Sequence, residues 1–398
     1  MLTRLGRGIV VAAAVAAFSA VVAPQVPESS RAERGPRERS RAPVVVKLEP
    51  IVSVVADPDG KVPWDQPLRV TVAHGQLGAV SVADADGQAL PGTTSPEGTE
   101  WQSAGTLVPQ LAYTVRASAT DADGRSFERS LAVTATAAPV LRATLSPGDR
   151  EVVGIGMPAE VIFNRPVPAG ERPAVEQRLA VSTTPPVTGA WRWIGPARIH
   201  WRPAAYWQPG TEVTLHADLR RLQVGSAWGV DERAVRFRIG AAHISTVDVA
   251  THQMTVTENG QVVNVIPISA GRDRYPTRNG VHIALSKSRI EVMDSETVGI
   301  PRSEGGYYKE VAWATRLSYG GTFVHAAPWS VAVQGRRNVS HGCINASTAA
   351  AQWFFNFTRR GDVVQIVNSS APPKLSDPGT ADWNIPWERW ANGASKGS

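Results

Sequence analysis

The sequence predicts a mainly β protein: two immunoglobulin-like β-sandwich domains followed by a different, β-rich third domain with one prominent helix. Three observations point there. The 398 residues exceed one ordinary domain, so two or three compact units are expected. From about Val46 to Gly240, short runs of period-two alternation are separated by Gly, Pro and Asp turns roughly every 8–12 residues. After Gly240 the texture changes, and one segment acquires helical apolar spacing.

The chain opens on Arg4 and Arg7 ahead of an uncharged apolar run from Ile9 to Ala23. Residues 1–23 read as a signal peptide or, if uncleaved, a signal anchor. Residues 24–45 are rich in Pro, Arg, Ser and Glu and read as a disordered tether. The protein is therefore expected to be exported to the periplasm or cell wall. The cytoplasmic membrane would be a partner only through an uncleaved N-terminal segment. The net charge of +6 sits mostly in this region, where residues 1–45 carry seven arginines against three glutamates. The rest of the chain is nearly neutral and lacks finger, helix-turn-helix or RNA-stacking signatures, so no nucleic-acid partner is expected.

Residues 46–138 form the first predicted sandwich. Leu68–Val72, Tyr113–Ala117 and Leu131–Ala135 alternate with period two. Asp57-Pro58-Asp59-Gly60, Asp84-Ala85-Asp86-Gly87 and Asp121-Ala122-Asp123-Gly124 are turn chemistry, too short for a calcium loop. Residues 139–240 form the second, with strands at Leu141–Leu145, Glu160–Phe163, Glu212–Leu215 and Val235–Ile239. Trp191, Trp193 and Trp201 are expected in its core. Neither unit carries a catalytic cluster, so both read as spacers.

Residues 241–370 form the third domain. Glu258-Asn259-Gly260-Gln261 between two apolar runs signals a tight hairpin. His282 lies in an alternating run, as a satisfied strand residue. The helix is expected from Thr348 to Arg360, N-capped by Ser347, with Ala350, Trp353, Phe354 and Phe357 in one stripe and Gly361 as its stop. Residues 371–398 form an extension with Trp383, Trp387 and Trp390, expected to pack against the catalytic domain or the preceding sandwich.

Cys343 is the chain's one cysteine, which excludes internal disulfides and multi-thiolate metal sites. Its context is Ser340-His341-Gly342-Cys343-Ile344-Asn345, and a strand at Thr322–Val324 delivers His325 eighteen positions upstream. A free thiol is only a few per cent thiolate at neutral pH and needs a base to become a nucleophile, a task that suits histidine. The amides of Gly342 and Cys343 could point at a developing oxyanion. Together these residues spell a cysteine acyl-transfer site without metal or cofactor. Weighed against it are a zinc site on His325, His341 and Cys343, which lacks a second thiolate, and an inert buried cysteine. A papain-like peptidase places its histidine after the cysteine, the reverse of this order.

The arrangement of His325, fourteen residues, then Ser340-His341-Gly342-Cys343-Ile344-Asn345 resembles the signature of L,D-transpeptidases with a YkuD-type catalytic domain. Phe323-Val324-His325-Ala326-Ala327-Pro328-Trp329-Ser330 and Asp382-Trp383-Asn384-Ile385-Pro386-Trp387 are similar to mycobacterial-type members with two immunoglobulin-like domains. The resemblance implies 3→3 cross-linking of peptidoglycan stems through a cysteine thioester, with release of D-alanine. Its partners would be a tetrapeptide donor, a diamino-acid amine acceptor and inhibitory carbapenem β-lactams. It implies Cys343 as nucleophile, His325 as base and the Ala326 carbonyl as orienter of the imidazole. His341 and Gly342 would frame the oxyanion site with Cys343, and His341 is the rival base. Met293, Tyr307, Trp329, Ser340 and Asn345 would bind substrate or brace the loop, with Gly305-Gly306 as a lid hinge. Two other readings stand beside it. A sortase needs an arginine soon after the thiol, where this chain has only Arg359 and Arg360 at the helix end. A non-catalytic wall-binding protein would have no need of intact His325 and Cys343.

Overall fold

The computed structural model describes residues 48–375 and 382–393. The expected signal segment (1–23) and tether (24–45) lie outside the described residues. No helix among the described residues is long and apolar enough to cross a membrane.

Residues 51–135 build two facing four-stranded sheets. Period-two alternation turns Val70, Trp101, Val115 and Val133 into one shared core. The three Asp-x-Asp-Gly segments fold alike. In each, the first aspartate accepts from the amides two and four residues on, and the glycine takes a φ of 75° to 80°. Asp84 also pairs with Arg221 of the following unit at 2.6 Å.

Residues 140–239 form three small sheets around a second core. Trp201 and Trp207 are buried and stacked in it. Trp193 is half-buried, stacks on Phe163 and donates to Glu176. The expected strand Leu141–Leu145 is instead interrupted at Arg142, giving Val140–Leu141 and Ala143–Ser146. Asn164 bonds Arg142 N–H and the Val140 carbonyl there, replacing the ladder.

From His243 onward, a five-stranded sheet runs in the order Gln261–Pro267, Gln253–Glu258, His243–Asp248, Val363–Val367, Gly280–Ile283. A four-stranded sheet holds Ser286–Asp294, Tyr308–Arg316, Phe323–Ala326 and Ile344–Ala346 in that order. Val247, Met254 and Ile366 of the first meet Val324 and Ile344 of the second in one core, with Phe354 of the helix. The hairpin turn is Asn259-Gly260, both at positive φ (49° and 84°), the mirror-image turn that matches strand twist.

The helix runs Thr348–Phe357, with the Ser347 side chain accepting from Ala350 N–H. It ends three residues before the expected Arg360. Thr358 is already extended, and Arg360 is drawn away by a tertiary partner. Arg360 forms a two-pronged bond to Glu151 of the second sandwich at 2.8 and 2.7 Å. The most buried helix positions are Ala351 and Phe354, while Ala350, Trp353 and Phe357 are half-buried.

The C-terminal extension contacts both the second sandwich and the third domain. Trp390 is fully buried and donates to the Ala190 carbonyl at 2.9 Å. The buried Arg202 guanidinium lies over Trp383 and Trp390, each 4.6 Å from centroid, and donates to the Ile385 carbonyl. Asn384 exchanges two hydrogen bonds of 2.8 Å with Val281 in the third domain. His200 sits buried between Asp382 (2.7 Å) and Glu160 (3.1 Å). Burial alone would lower its pKa, but Asp382 and then Glu160 outweigh it and hold it at about 9. Truncating Trp390 to Ala opens a core cavity and should cost about 3–5 kcal/mol. The melting temperature should fall by roughly 10 °C. An unchanged value would show that the tail adds nothing to stability.

Candidate active site

The thiol and the imidazole come from adjacent parallel strands. Val324 pairs with Ile344 and His325 with Asn345, so Cys343 enters Ile344–Ala346 one residue before the register begins. Neighbouring strands run about 5 Å apart, which brings positions eighteen apart in sequence to one sheet end. His325 and Cys343 line a common cavity of about 180 Å³ with Met293, Tyr307, Trp329, Ser340, His341 and Asn345. Every substrate-contact residue named from the sequence lines it. Lys309, Val311 and Val339 complete the lining and had no motif to announce them.

His325 is 4% exposed, and its Nδ1 lies 2.9 Å from the Ala326 carbonyl. A carbonyl only accepts, so Nδ1 carries the proton and Nε2 is left with a free lone pair. Burial pushes this imidazole down to about 4; the Ala326 bond opposes that and the Lys309 charge adds to it. The site histidine is therefore neutral across the physiological range.

Cys343 is 6% exposed, and burial pushes its thiol up to about 11. Its S–H donates to the Gly321 carbonyl at 3.5 Å. The resting pair is thus thiol and neutral imidazole rather than thiolate and imidazolium. Gly321, at φ 93° in the turn before the histidine strand, is a partner that no motif announces.

The loop before the thiol is held by Ser340. Its hydroxyl donates to the Cys343 carbonyl at 2.6 Å and accepts from Gly342 N–H at 3.0 Å. That commits the Gly342 amide and corrects the expectation that it points at an oxyanion. Gly342 has φ 121°, which an L side chain rarely adopts, and this is what glycine supplies here. Asn345 is buried and donates to Ser330 at 3.3 Å.

His341 is engaged elsewhere. Its ring lies 5.0 Å from both Tyr275 and Tyr307, and Nε2 is 2.7 Å from Arg272 and 2.9 Å from the Gly305 carbonyl. One nitrogen cannot accept from the arginine and donate to the carbonyl together. The guanidinium is always charged, so Nε2 accepts from Arg272 and the imidazole is neutral. Burial and then Arg272 lower its pKa in the same direction. Gly305 (φ 86°) closes the short turn Arg302–Glu304, so His341 touches the segment expected to hinge. His282 is buried on Gly280–Ile283, near the Arg278 carbonyl at 3.2 Å, and lines an adjoining cleft with Arg274, Arg278 and Gly321, which shares Tyr307 and His341 with the cavity of the thiol. Among the described residues no group of three or more His, Cys, Asp or Glu could hold a metal ion.

Comparison with known proteins gives this site a family. The model of the L,D-transpeptidase catalytic domain matches residues 242–366, and that of the bacterial Ig domain matches residues 59–223. The chain is 39% identical over 334 residues to L,D-transpeptidase 2 of Mycobacterium tuberculosis, covering 83% of this chain and 81% of that protein. It is 32% identical to L,D-transpeptidase 5 of the same species, covering 82% and 72%. An L,D-transpeptidase solved in complex with imipenem aligns with TM-score 0.50 and 37% identity, over 57% of this chain and 99% of that one. The fold and the match define an acyltransferase of mainly β architecture. The chain belongs to the L,D-transpeptidases with a YkuD catalytic domain.

Proposed function

We propose that this L,D-transpeptidase forms 3→3 cross-links between peptidoglycan stems through a thioester on Cys343. The observation that supports the assignment most is the 2.9 Å bond from His325 Nδ1 to the Ala326 carbonyl, which leaves Nε2 basic within the cavity of the thiol. Sγ attacks the carbonyl carbon of the third, diamino-acid residue of a tetrapeptide stem, and its proton passes to His325 Nε2. The Cys343 amide faces the developing oxyanion, with His341 and Ser340 holding the loop. The bond to the terminal residue breaks, its nitrogen takes the proton from the imidazole, and D-alanine leaves. The side-chain amine of a second stem then attacks the thioester, loses a proton to the imidazole and expels Sγ, which recovers a proton. Met293, Tyr307 and Trp329 form the walls against which the donor lies.

Carbapenem-type β-lactams offer a strained carbonyl to the same thiol and would stop at the acyl-enzyme. The work takes place outside the cytoplasmic membrane, with residues 1–23 as export signal or anchor and the two immunoglobulin-like units (46–138 and 139–240) as spacers. Incubation with a tetrapeptide stem should yield free D-alanine and one dimer whose cross-link joins two diamino-acid residues. Release of D-alanine without dimer would make the enzyme a carboxypeptidase, and the absence of both products would refute the reading.

A further inference from the structure

We propose that Lys309 is a specificity-determining residue of this cavity and recognises the free terminal carboxylate of the donor stem. The inference rests on the function proposed above and names a contact that no motif carries.

Lys309 lies on the strand Tyr308–Arg316, directly opposite Met293. Its ammonium stands 3.7 Å from the centroid of the Trp329 ring, and that ring lies 6.1 Å from His325. Trp329 is 51% exposed, so the pair forms the mouth of the cavity. Among the lining residues Lys309 is the one permanent charge, and no carboxylate lines the cavity with it. The acids near this strand are already occupied. Glu291 pairs with Arg316 at 2.9 Å and Asp294 with Arg302 at 2.6 Å. Glu310 follows Lys309 in the strand and so points to the opposite face. The Lys309 charge is also felt at the reacting centre, where it is among the influences that lower the imidazole pKa.

A cation held over an aromatic ring with no acid beside it is a site for an anion. The donor supplies one by covalent necessity. With the third-residue carbonyl at Sγ, the carboxylate of the fourth residue lies within one residue's span, about 3.8 Å between consecutive Cα atoms. No other anion of the stem is tied so closely to the scissile bond. Because this carboxylate departs with D-alanine, Lys309 acts on acylation and not on resolution of the thioester.

The test compares kcat/KM for acylation by the tetrapeptide free acid with that by its C-terminal carboxamide. The natural enzyme should favour the acid by on the order of tenfold. Lys309→Met keeps the aliphatic stem on Trp329 and removes only the charge. Its acid-to-amide ratio should fall to about one, Lys309→Arg should restore it, and Lys309→Glu should invert it. An altered imidazole would slow both substrates alike, so the ratio isolates recognition. Equal use of acid and amide by the natural enzyme, or an unchanged ratio in Lys309→Met, would overturn the inference while leaving the transpeptidase reading intact. If the natural enzyme acylated with neither substrate, the transpeptidase reading itself would fall.

Discussion

Cys343→Ser should release no detectable D-alanine from a tetrapeptide stem, a loss on the order of 10⁴-fold or more. The serine hydroxyl is a far weaker acid than the thiol, and the base available to it, His325, is held down to about 4. The substitution is nearly isosteric in a buried position, so the melting temperature should stay within a few degrees. The same variant should lose the adduct formed with a carbapenem. The natural chain should gain one carbapenem mass, on the peptide containing Cys343 and on no other. An adduct that persists in Cys343→Ser would move the nucleophile elsewhere.

His325→Ala should cost about 10²- to 10⁴-fold in acylation. With the thiol at about 11, only about one molecule in ten thousand is thiolate at pH 7 without an internal base. The variant should therefore recover activity by about tenfold per pH unit as alkali forms the thiolate, whereas the natural enzyme should be flat over the same range. The acid limb of the natural enzyme should fall near pH 4, where Nε2 takes up a proton, and not near 6.5. A stability signature accompanies it. The unfolded chain protonates this histidine near its ordinary value and the folded chain only near 4, so stability should drop as pH falls through that window. His341→Ala should retain measurable turnover, since the Nε2 lone pair of that imidazole is spent on Arg272. A larger loss there than in His325→Ala would exchange the two roles.

How far the sequence reaches depends on how local each feature is. Asn259-Gly260 and the three Asp-x-Asp-Gly turns were legible because a few adjacent residues determine them. The helix start was legible for the same reason, through Ser347. Its end was not, because Arg360 is held by Glu151, more than two hundred positions away. Cys343 and His325 stood out because the chain has one thiol, set in a dense motif. That they share a sheet end follows from parallel pairing of Val324 with Ile344, a register that no alternation pattern specifies. The commitment of the Gly342 amide to Ser340 and the tether from His341 to Arg272 are side-chain geometry, outside the reach of spacing. Lys309 reads in sequence as an ordinary exposed strand lysine. Only the cavity around it turns it into a candidate for recognition.

The central claim is a covalent thioester between Cys343 and a stem that has lost its last residue. Rapid quenching of the enzyme with a tetrapeptide donor whose side-chain amine is acetylated, so that it cannot act as acceptor, followed by intact-protein mass spectrometry and peptide mapping, tests it most directly. The expected result is one added mass equal to the tetrapeptide less D-alanine, the thiol hydrogen having left on the D-alanine nitrogen, located on Cys343 and discharged when a second stem is added. An unmodified enzyme that nonetheless releases D-alanine, or an adduct on any other residue, would contradict it.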